Sequence, residues 1–156
     1  MTATAEFRLV PLEKLRAHEQ YDEAGVLDLV TEIRAKGVFA DPIWVARGSY
    51  AILNGHHRVE ALKRLGAHRV PAWVLDYESD LVSLEPWSPG PPIAKAEVVA
   101  RAKSGRLFPP KSTRHRLSTE LPARPMPLTD LLEPARRPAS HRPASPPAEG
   151  ASARSG

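Results

Sequence analysis

The feature that most constrains the fold is a junction at residues 52–58, where an apolar run stops at a glycine and an amphipathic helical pattern begins. The run reads Ile-Leu-Asn-Gly-His-His-Arg, and Arg58, Leu62 and Leu65 then recur at the spacing of one helix face. A strand that turns into a helix at a glycine presents the first free backbone N–H groups of that helix, and the helix dipole adds partial positive charge. The junction therefore predicts an anion site, with an ordinary turn as the alternative.

Three side chains at this junction favour the anion site. Arg58 starts on the helix face that packs against a core, and its guanidinium stays charged, so we expect it to have carboxylate or phosphate partners. His56 and His57 add donors that can be charged near neutral pH. An ordinary polar first turn would also accommodate both histidines.

Hydrophobic periodicity on both sides of the junction predicts alternating strands and helices. Asp22 and Gly37 are the expected cap residues of the first helix. Strands are predicted at 7–10 (an edge strand), 42–46, 50–53 and 70–75, with a hairpin connection at 47–49, and further helices at 56–65, 81–87 and 93–104. This alternation predicts a small α/β domain, and not a helical bundle or a sandwich.

The composition of the chain changes near residue 118. Residues 118–156 contain 8 of the 17 prolines, with Ala, Ser and Arg filling much of the rest. Such a segment buries too little apolar surface to offset an ordering cost of about 1–2 kcal/mol per residue. We therefore predict a folded domain over 1–117 and a disordered tail over 118–156, within which only 126–132 could dock as one turn.

Composition also excludes several classes of protein. The absence of cysteine excludes disulfides, thiolate metal sites and thiol catalysis. No apolar run approaches the length of a membrane span and the N-terminus is polar, so we expect a cytoplasmic protein without a membrane partner. The net charge of +4 fits contact with anions of any size and does not choose between DNA and a nucleotide.

Two further segments carry candidate functional residues. Residues 15–19 form a predicted loop that ends at Glu19, just ahead of a helix. Residues 107–115 read Leu-Phe-Pro-Pro-Lys-Ser-Thr-Arg-His, and the two prolines leave the following polar residues little entropy to lose when they meet a ligand. Side chains of these types hold phosphate or carboxylate oxygens, although a solvated basic linker has the same composition.

Taken in order, the three segments resemble a known family. Leu-x-x-His-Glu at 15–19, Gly-His-His-Arg at 55–58 and Phe-Pro-Pro-Lys-x-Thr-Arg-His at 108–115 are together similar to the ADP-dependent free L-serine kinases of the ParB/sulfiredoxin superfamily. Chromosome-partitioning ParB proteins usually have Gly-Glu-Arg-Arg at the second segment, and sulfiredoxins have Gly-Cys-His-Arg. The resemblance implies a small domain with a mixed sheet and flanking helices. It also implies that the domain binds ADP or ATP with Mg²⁺ and transfers a phosphoryl group to the hydroxyl of free L-serine or a similar small amino acid.

The same resemblance implies roles for individual residues. Glu19 matches the acidic residue that activates the serine hydroxyl, the general base that such a phosphoryl transfer needs. The other implied roles are catalysis for His57, nucleotide binding for Gly55, His56, His57, Arg58, Lys111, Ser112 and Thr113, substrate binding for Trp87, Arg114 and His115, and a metal position for Asn54.

One residue departs from the kinase pattern. The kinases typically have Asp before Gly-His-His-Arg, where this chain has Asn54, and an amide coordinates Mg²⁺ less strongly than a carboxylate. The alternative function is therefore a ParB-like nucleotide-binding regulator or DNA-associated protein without kinase activity. DNA binding is not favoured, because no helix-turn-helix region is predicted after the domain and basic charge is not concentrated in one run. The histidine spacings match no compact zinc motif, and the pattern does not indicate an oligomeric state.

Overall fold

The described part of the chain forms a layered α/β domain. The computed structural model describes residues 4–87 and 89–132. In chain order the strands are β1 (Ala5–Pro11), β2 (Val38–Phe39), β3 (Ile43–Ala46), β4 (Ile52–Asn54), β5 (Arg69–Leu75), β6 (Val82–Pro86), β7 (Thr113–Leu117) and β8 (Met126–Pro127). The α-helices are α1 (Glu23–Lys36), α2 (His56–Arg64), α3 (Lys95–Ser104) and α4 (Leu128–Leu132), and a 3₁₀ turn covers Leu12–Lys14.

The central sheet has four strands in the order β1-β5-β3-β4. Strand β1 is an edge strand that pairs antiparallel with β5, β5 runs parallel to β3, and β3 and β4 form an antiparallel hairpin. Both parallel and antiparallel pairs are present, so the predictions of a mixed sheet, of an edge strand at 7–10 and of a hairpin connection at 47–49 are confirmed. The hairpin sends β4 directly into α2.

Each face of this sheet packs against a separate apolar cluster, because side chains alternate between the two faces of a strand. On β5, Val70 and Val74 face the cluster that includes α1 and α2, whereas Trp73 and Leu75 face the cluster that includes α3 and Phe108. The fold therefore encloses β5 on both faces. The junction from β4 to α2 lies where these layers meet.

The boundaries predicted for α1 are set by its cap residues. The Asp22 side chain accepts a hydrogen bond from the Gly25 backbone N–H at 3.2 Å, and Gly37 ends α1 with a left-handed φ of 69°. The helices predicted at 56–65 and 93–104 are present as α2 and α3. Within residues 4–87 and 89–132, no helix combines the length and apolar character that crossing a membrane requires.

The prediction of a short helix at 81–87 is wrong. Residues Val82–Pro86 form β6, which pairs antiparallel with β7 in a second sheet. Val82 is buried and Ser83 is exposed, which is the two-residue alternation of a strand. The partner strand covers Thr113–Leu117, so the last three residues of the segment 107–115 are also in a strand.

The segment 118–132 differs from the predicted disordered tail. Its Pro122 carbonyl accepts a hydrogen bond from Trp73 Nε1 at 3.3 Å, and the Arg124 guanidinium lies 4.2 Å from the centroid of the Phe7 ring. The docked turn expected at 126–132 is present as β8 and α4, with the Leu131 side chain buried in the core. Proline does not prevent this packing, because a proline carbonyl remains an acceptor. The disorder predicted for residues 133–156 lies outside the described residues.

The docking of α4 can be measured through two adjacent leucines. Leu131 is fully buried, whereas Leu132 is 36% exposed. We expect Leu131→Ala to lower the free energy of unfolding by about 2–4 kcal/mol, because it leaves a cavity, and Leu132→Ala to lower it by no more than about 1 kcal/mol. Urea denaturation measures both, and equal losses would contradict the docking of this helix.

Candidate functional site

An open cleft lies at the end of β4, between the start of α2 and the β6–β7 sheet, with a volume of about 980 Å³. Residues 119–123 also line it, so the docked segment forms part of its wall. The cleft brings the three sequence segments together. Apart from Ser112, every residue predicted for the site lines it, namely Glu19, Asn54, Gly55, His56, His57, Arg58, Trp87, Lys111, Thr113, Arg114 and His115.

The start of α2 depends on Gly55. Its φ of 114° is a left-handed value, and a Cβ at this position would lie 2.5 Å from Ile43 Cγ2. A side chain is therefore excluded both by backbone strain and by the close approach of β3. Gly55 also provides no side-chain cap, and the first intrahelical bond runs from the Val59 N–H to the Gly55 carbonyl at 2.9 Å. The N–H groups of the helix that precede Val59 are those that would donate hydrogen bonds to an anion at the helix entrance.

Arg58 points into the cleft with partners that differ from those expected. Its Nη1 donates to the carbonyls of Asp41 and Pro42 at 2.6 and 3.2 Å, and its Nη2 donates to Asn54 Oδ1 at 3.1 Å. The expected carboxylate partner is absent from these contacts, which are all to neutral oxygens. Burial lowers the pKa of Arg58, and Asp41 opposes that shift. The guanidinium thus keeps a charge that an anion in the cleft would stabilise.

Glu19 is 8% exposed, and its carboxylate holds the loop at 111–113. Its Oε1 accepts from the Ser112 N–H, the Thr113 N–H and the Thr113 hydroxyl, at 3.3, 3.0 and 2.8 Å. Its Oε2 accepts from the Lys111 N–H at 2.9 Å. Because a carboxylate oxygen has about two lone pairs, Oε2 is the oxygen with room for a further proton donor.

A buried histidine continues this hydrogen-bond chain. His18 is fully buried, and its Nε2 lies 2.8 Å from the Thr113 hydroxyl. Since the single hydroxyl proton is donated to Glu19, we infer that His18 Nε2 carries the proton of that ring. The His18 backbone N–H in turn donates to His56 Nε2 at 3.2 Å. The hydrogen-bond chain therefore runs from the His18 ring through the Thr113 hydroxyl to the Glu19 carboxylate, and His56 contacts the backbone of His18.

His57 is anchored at the start of α1. Its Nε2 accepts from the Asp22 backbone N–H at 2.9 Å, and a Cβ on Gly25 would lie 3.1 Å from its Cδ2. The glycine in the first turn of α1 thus leaves space for the imidazole ring. With Nε2 occupied as an acceptor, the contacts around His57 support a positioning role, and its predicted catalytic role stays a prediction.

The residues predicted to bind the substrate lie on the β6–β7 side of the cleft. The Arg114 guanidinium lies 4.7 Å from the centroid of the Trp87 ring, and Trp87 is 49% exposed. This cation–π contact holds a guanidinium at the cleft wall. His115 is buried instead, and its Nε2 lies 2.8 Å from the Tyr77 hydroxyl.

The metal role expected for Asn54 has little support in this geometry. The Oδ1 atom of Asn54 already accepts from Arg58, and a cation next to a guanidinium is repelled. Within residues 4–87 and 89–132, no three acidic, histidine or cysteine side chains lie close enough together to hold a metal ion. At Asn54 itself, the oxygen that a Mg²⁺ ion would need is an amide oxygen already engaged by a guanidinium, which is a poor donor for this ion.

Comparison with known proteins places this geometry in a family. The ParB N-terminal domain family matches residues 2–83 of the 156. The chain belongs to the ParB N-terminal domain family. The matched range includes Glu19 and the whole junction from β4 to α2, but it stops before β7. The resemblance predicted from the sequence is thereby confirmed.

Curated relatives of this ParB N-terminal domain include serine kinases. The ADP-dependent L-serine kinase SerK of Thermococcus kodakarensis is 33% identical over 110 residues, which are 68% of this chain and 46% of that protein. An ATP-dependent L-serine kinase of Staphylothermus marinus is 38% identical over 85 residues, which are 52% of this chain and 34% of that protein. The chain thus spans less than half the length of these two relatives.

Solved structures share the fold of this ParB N-terminal domain. A free serine kinase in complex with AMP aligns with a TM-score of 0.71 at 19% identity, over 84% of this chain and 95% of that chain. A conserved hypothetical protein from Pyrococcus furiosus aligns with a TM-score of 0.73 at 21% identity, over 81% of this chain and 97% of that chain. At these identities the likeness establishes the fold.

Several residues that shape the site are not evident from the sequence. His18 belongs to the segment 15–19, but the sequence does not assign it a role in the site beyond a weak zinc candidate. The signal that could have identified it is its position directly before Glu19. Asp41 and Pro42 contribute backbone carbonyls, which leave no signal in the side-chain pattern. Residues 119–123 have the composition of the predicted tail, and that composition conceals their place in the cleft wall.

A second glycine allows the two causes of the constraint at Gly55, backbone strain and steric clash, to be measured separately. Gly48 has a φ of 90°, but a Cβ there would have no atom within 4 Å, whereas a Cβ on Gly55 would meet Ile43. We expect Gly48→Ala to cost about 1 kcal/mol from backbone strain, and Gly55→Ala to cost about 1–3 kcal/mol more because of the clash. Chemical denaturation compares the variants, and equal costs would contradict the close packing of β3 under the junction.

The buried histidines predict a loss of stability in acid. Burial lowers the pKa of His18 to about 4 and that of His115 to about 3, with Glu19 opposing the first shift and His18 adding to the second. Both rings are neutral in the folded protein. In the unfolded chain the same histidines take up protons below their ordinary pKa of about 6.5. The free energy of unfolding therefore falls as the pH falls from about 6.5 towards 4. The expected slope is up to about 1.4 kcal/mol per pH unit for each histidine.

Urea denaturation between pH 7.5 and 4.5 measures this slope. We expect His115→Gln to reduce it, and the same change at the exposed His68 is the control for a substitution outside the core. A slope that is identical in all three proteins would show that the His115 ring is not buried as a neutral group.

Proposed function

We propose that this ParB N-terminal domain binds a nucleoside di- or triphosphate in the cleft and transfers its terminal phosphoryl group to the hydroxyl of free L-serine or a similar small amino acid. The observation that carries the proposal is the cleft itself, in which a carboxylate with an open lone pair and an arginine whose hydrogen-bond partners are all neutral line the same space. The names of the two curated relatives, L-serine kinases that use ADP or ATP, support the same chemistry.

The nucleotide phosphates would bind at the start of α2. The N–H groups of His56, His57 and Arg58 precede the first intrahelical donor, the Val59 N–H, and the helix dipole favours negative charge there. The Arg58 guanidinium supplies a full positive charge beside these donors. Lys111 lines the same cleft with a left-handed φ of 58°; its backbone N–H donates to Glu19 Oε2, and its side chain is exposed.

The amino acid would bind between Glu19 and the β6–β7 sheet. A serine hydroxyl needs a proton acceptor within hydrogen-bond reach, and Glu19 Oε2 accepts from only one backbone donor among the described contacts. The carboxylate of the amino acid needs a cation, and the Arg114 guanidinium, stacked on Trp87, lies at the cleft wall. His18 and Thr113 hold Glu19 in place and do not themselves contact the substrate in this scheme.

The reaction balances with these groups. The serine oxygen forms a bond to the terminal phosphorus, the bond from that phosphorus to the nucleotide oxygen breaks, and the hydroxyl proton passes to Glu19. The leaving nucleotide is AMP when ADP is the donor and ADP when ATP is the donor. Positioning and charge stabilisation dominate the catalysis of such transfers, which agrees with a site that is built largely from backbone dipoles.

The role of Glu19 can be tested with an isosteric change. Glu19→Gln retains an oxygen acceptor for the 111–113 loop but removes the base, so we expect the formation of O-phosphoserine to fall at least about 100-fold while nucleotide affinity stays within a few-fold. Phosphorus NMR of the full chain with L-serine and ADP or ATP measures the product, and calorimetry measures nucleotide binding.

The matched control is Glu120→Gln, which makes the same change at an exposed residue that lines the same cleft. We expect its turnover to stay near that of the unchanged chain. Unaltered turnover in Glu19→Gln would remove Glu19 from the mechanism. Nucleotide binding without any product in the unchanged chain would favour a ParB-like nucleotide-binding regulator over a kinase.

A further inference from the structure

The start of α2 contains an arginine whose hydrogen-bond partners are all neutral oxygens, although the charge of Asp41 also favours its protonated form. Arg58 donates to two backbone carbonyls and to the side-chain oxygen of Asn54. Among the ion pairs found within residues 4–87 and 89–132, none includes Arg58. Asn54 therefore fills the position next to the guanidinium without neutralising it.

A carboxylate at the same position would change both the charge and the chemistry of the cleft. The Asn54 oxygen lies 3.1 Å from Arg58 Nη2, so an aspartate of the same shape would form an ion pair with the guanidinium. Such a pair weakens the attraction of Arg58 for a phosphate, and a divalent cation would then be needed to restore it. An aspartate would also offer the hard anionic oxygen that Mg²⁺ prefers, which an amide oxygen engaged by a cation does not.

The groups around Arg58 add to its positive potential. The three backbone N–H groups at the start of α2 point the positive end of the helix dipole at the cleft, and Gly55 brings no side chain that could cap them. A Cβ on Gly55 would lie 3.2 Å from Arg58 Nη2, so the guanidinium sits directly against the turn. The fixed donors and the guanidinium charge thus face the same ligand position.

We propose that Asn54 adapts this cleft to bind nucleotide phosphates without a divalent cation, with the charge of Arg58 and the N–H groups of α2 taking the place of the metal. The inference rests on the proposed nucleotide site and adds a metal requirement that distinguishes it from a site with an acidic residue at this position. It concerns binding, so it can be measured without phosphoryl transfer.

The experiment is calorimetric titration of ADP into the full chain, once with EDTA and once with MgCl₂. For the unchanged chain we expect the two dissociation constants to agree within about threefold. For Asn54→Asp we expect affinity in EDTA to fall at least about tenfold, the scale of one charge-assisted hydrogen bond, and to recover with Mg²⁺. Circular dichroism melting checks that the variant is folded.

The matched control is Thr119→Asp, which adds the same charge to an exposed position of the cleft wall. An equal loss in both variants would show that net charge alone is responsible and would overturn the role of Asn54. Binding by the unchanged chain only in the presence of Mg²⁺ would overturn the inference and leave the nucleotide site intact. The absence of ADP binding under both conditions would overturn the inference together with the proposed function.

Discussion

The carboxylate of Glu19 joins the two halves of the cleft, and the shape of the site depends on it. It comes from the segment before α1, yet its hydrogen-bond partners lie at 111–113, 92 or more residues further along the chain. A buried carboxylate without donors is costly, so the loop must keep its N–H groups directed towards Glu19. This requirement accounts for the left-handed φ of 58° at Lys111, a conformation that costs a residue with a side chain about 1 kcal/mol or more.

Two charged groups of the site, Glu19 and Arg58, are stabilised by the backbone and not by each other. Backbone N–H groups donate to Glu19, and backbone carbonyls accept from Arg58. If the acid and the cation paired directly, the acid would lose its capacity as a base and the cation its attraction for phosphate. Dipoles stabilise a charge without cancelling it, so each group remains available to a ligand. Asn54, as a neutral acceptor beside Arg58, follows the same rule.

Local sequence signals predicted the elements whose boundaries are set by nearby residues. The ends of α1 at Asp22 and Gly37 and the start of α2 at Gly55 follow from capping and turn chemistry alone. Strand β6 could not be found in this way, because its alternation is short and its partner β7 is distant in the sequence, as the pairing of Glu85 with Arg114 shows. The segment 118–125 has the composition of a disordered chain, whereas its order comes from the surface of β5 that it covers.

The candidate site was predictable to the extent that residue types reveal chemistry. The sequence identified as one group the residues Gly55, His56, His57, Arg58 and Glu19. The fold brings them into one cleft. Most of their partners were not predictable, because Arg58 donates to two main-chain carbonyls and Glu19 accepts from three main-chain N–H groups, and these contacts do not depend on the identity of the side chains there. The buried His18 and His115 gained their low pKa values from packing between the two sheets, which only the assembled fold determines.

The most direct test of this account is a crystal structure of the full chain with ADP and L-serine. We expect the terminal phosphate to lie within about 3 Å of the N–H groups of His56, His57 or Arg58, and the serine hydroxyl to lie within about 3 Å of Glu19 Oε2. A nucleotide whose phosphates lie away from the start of α2, or a serine hydroxyl out of reach of Glu19, would contradict it.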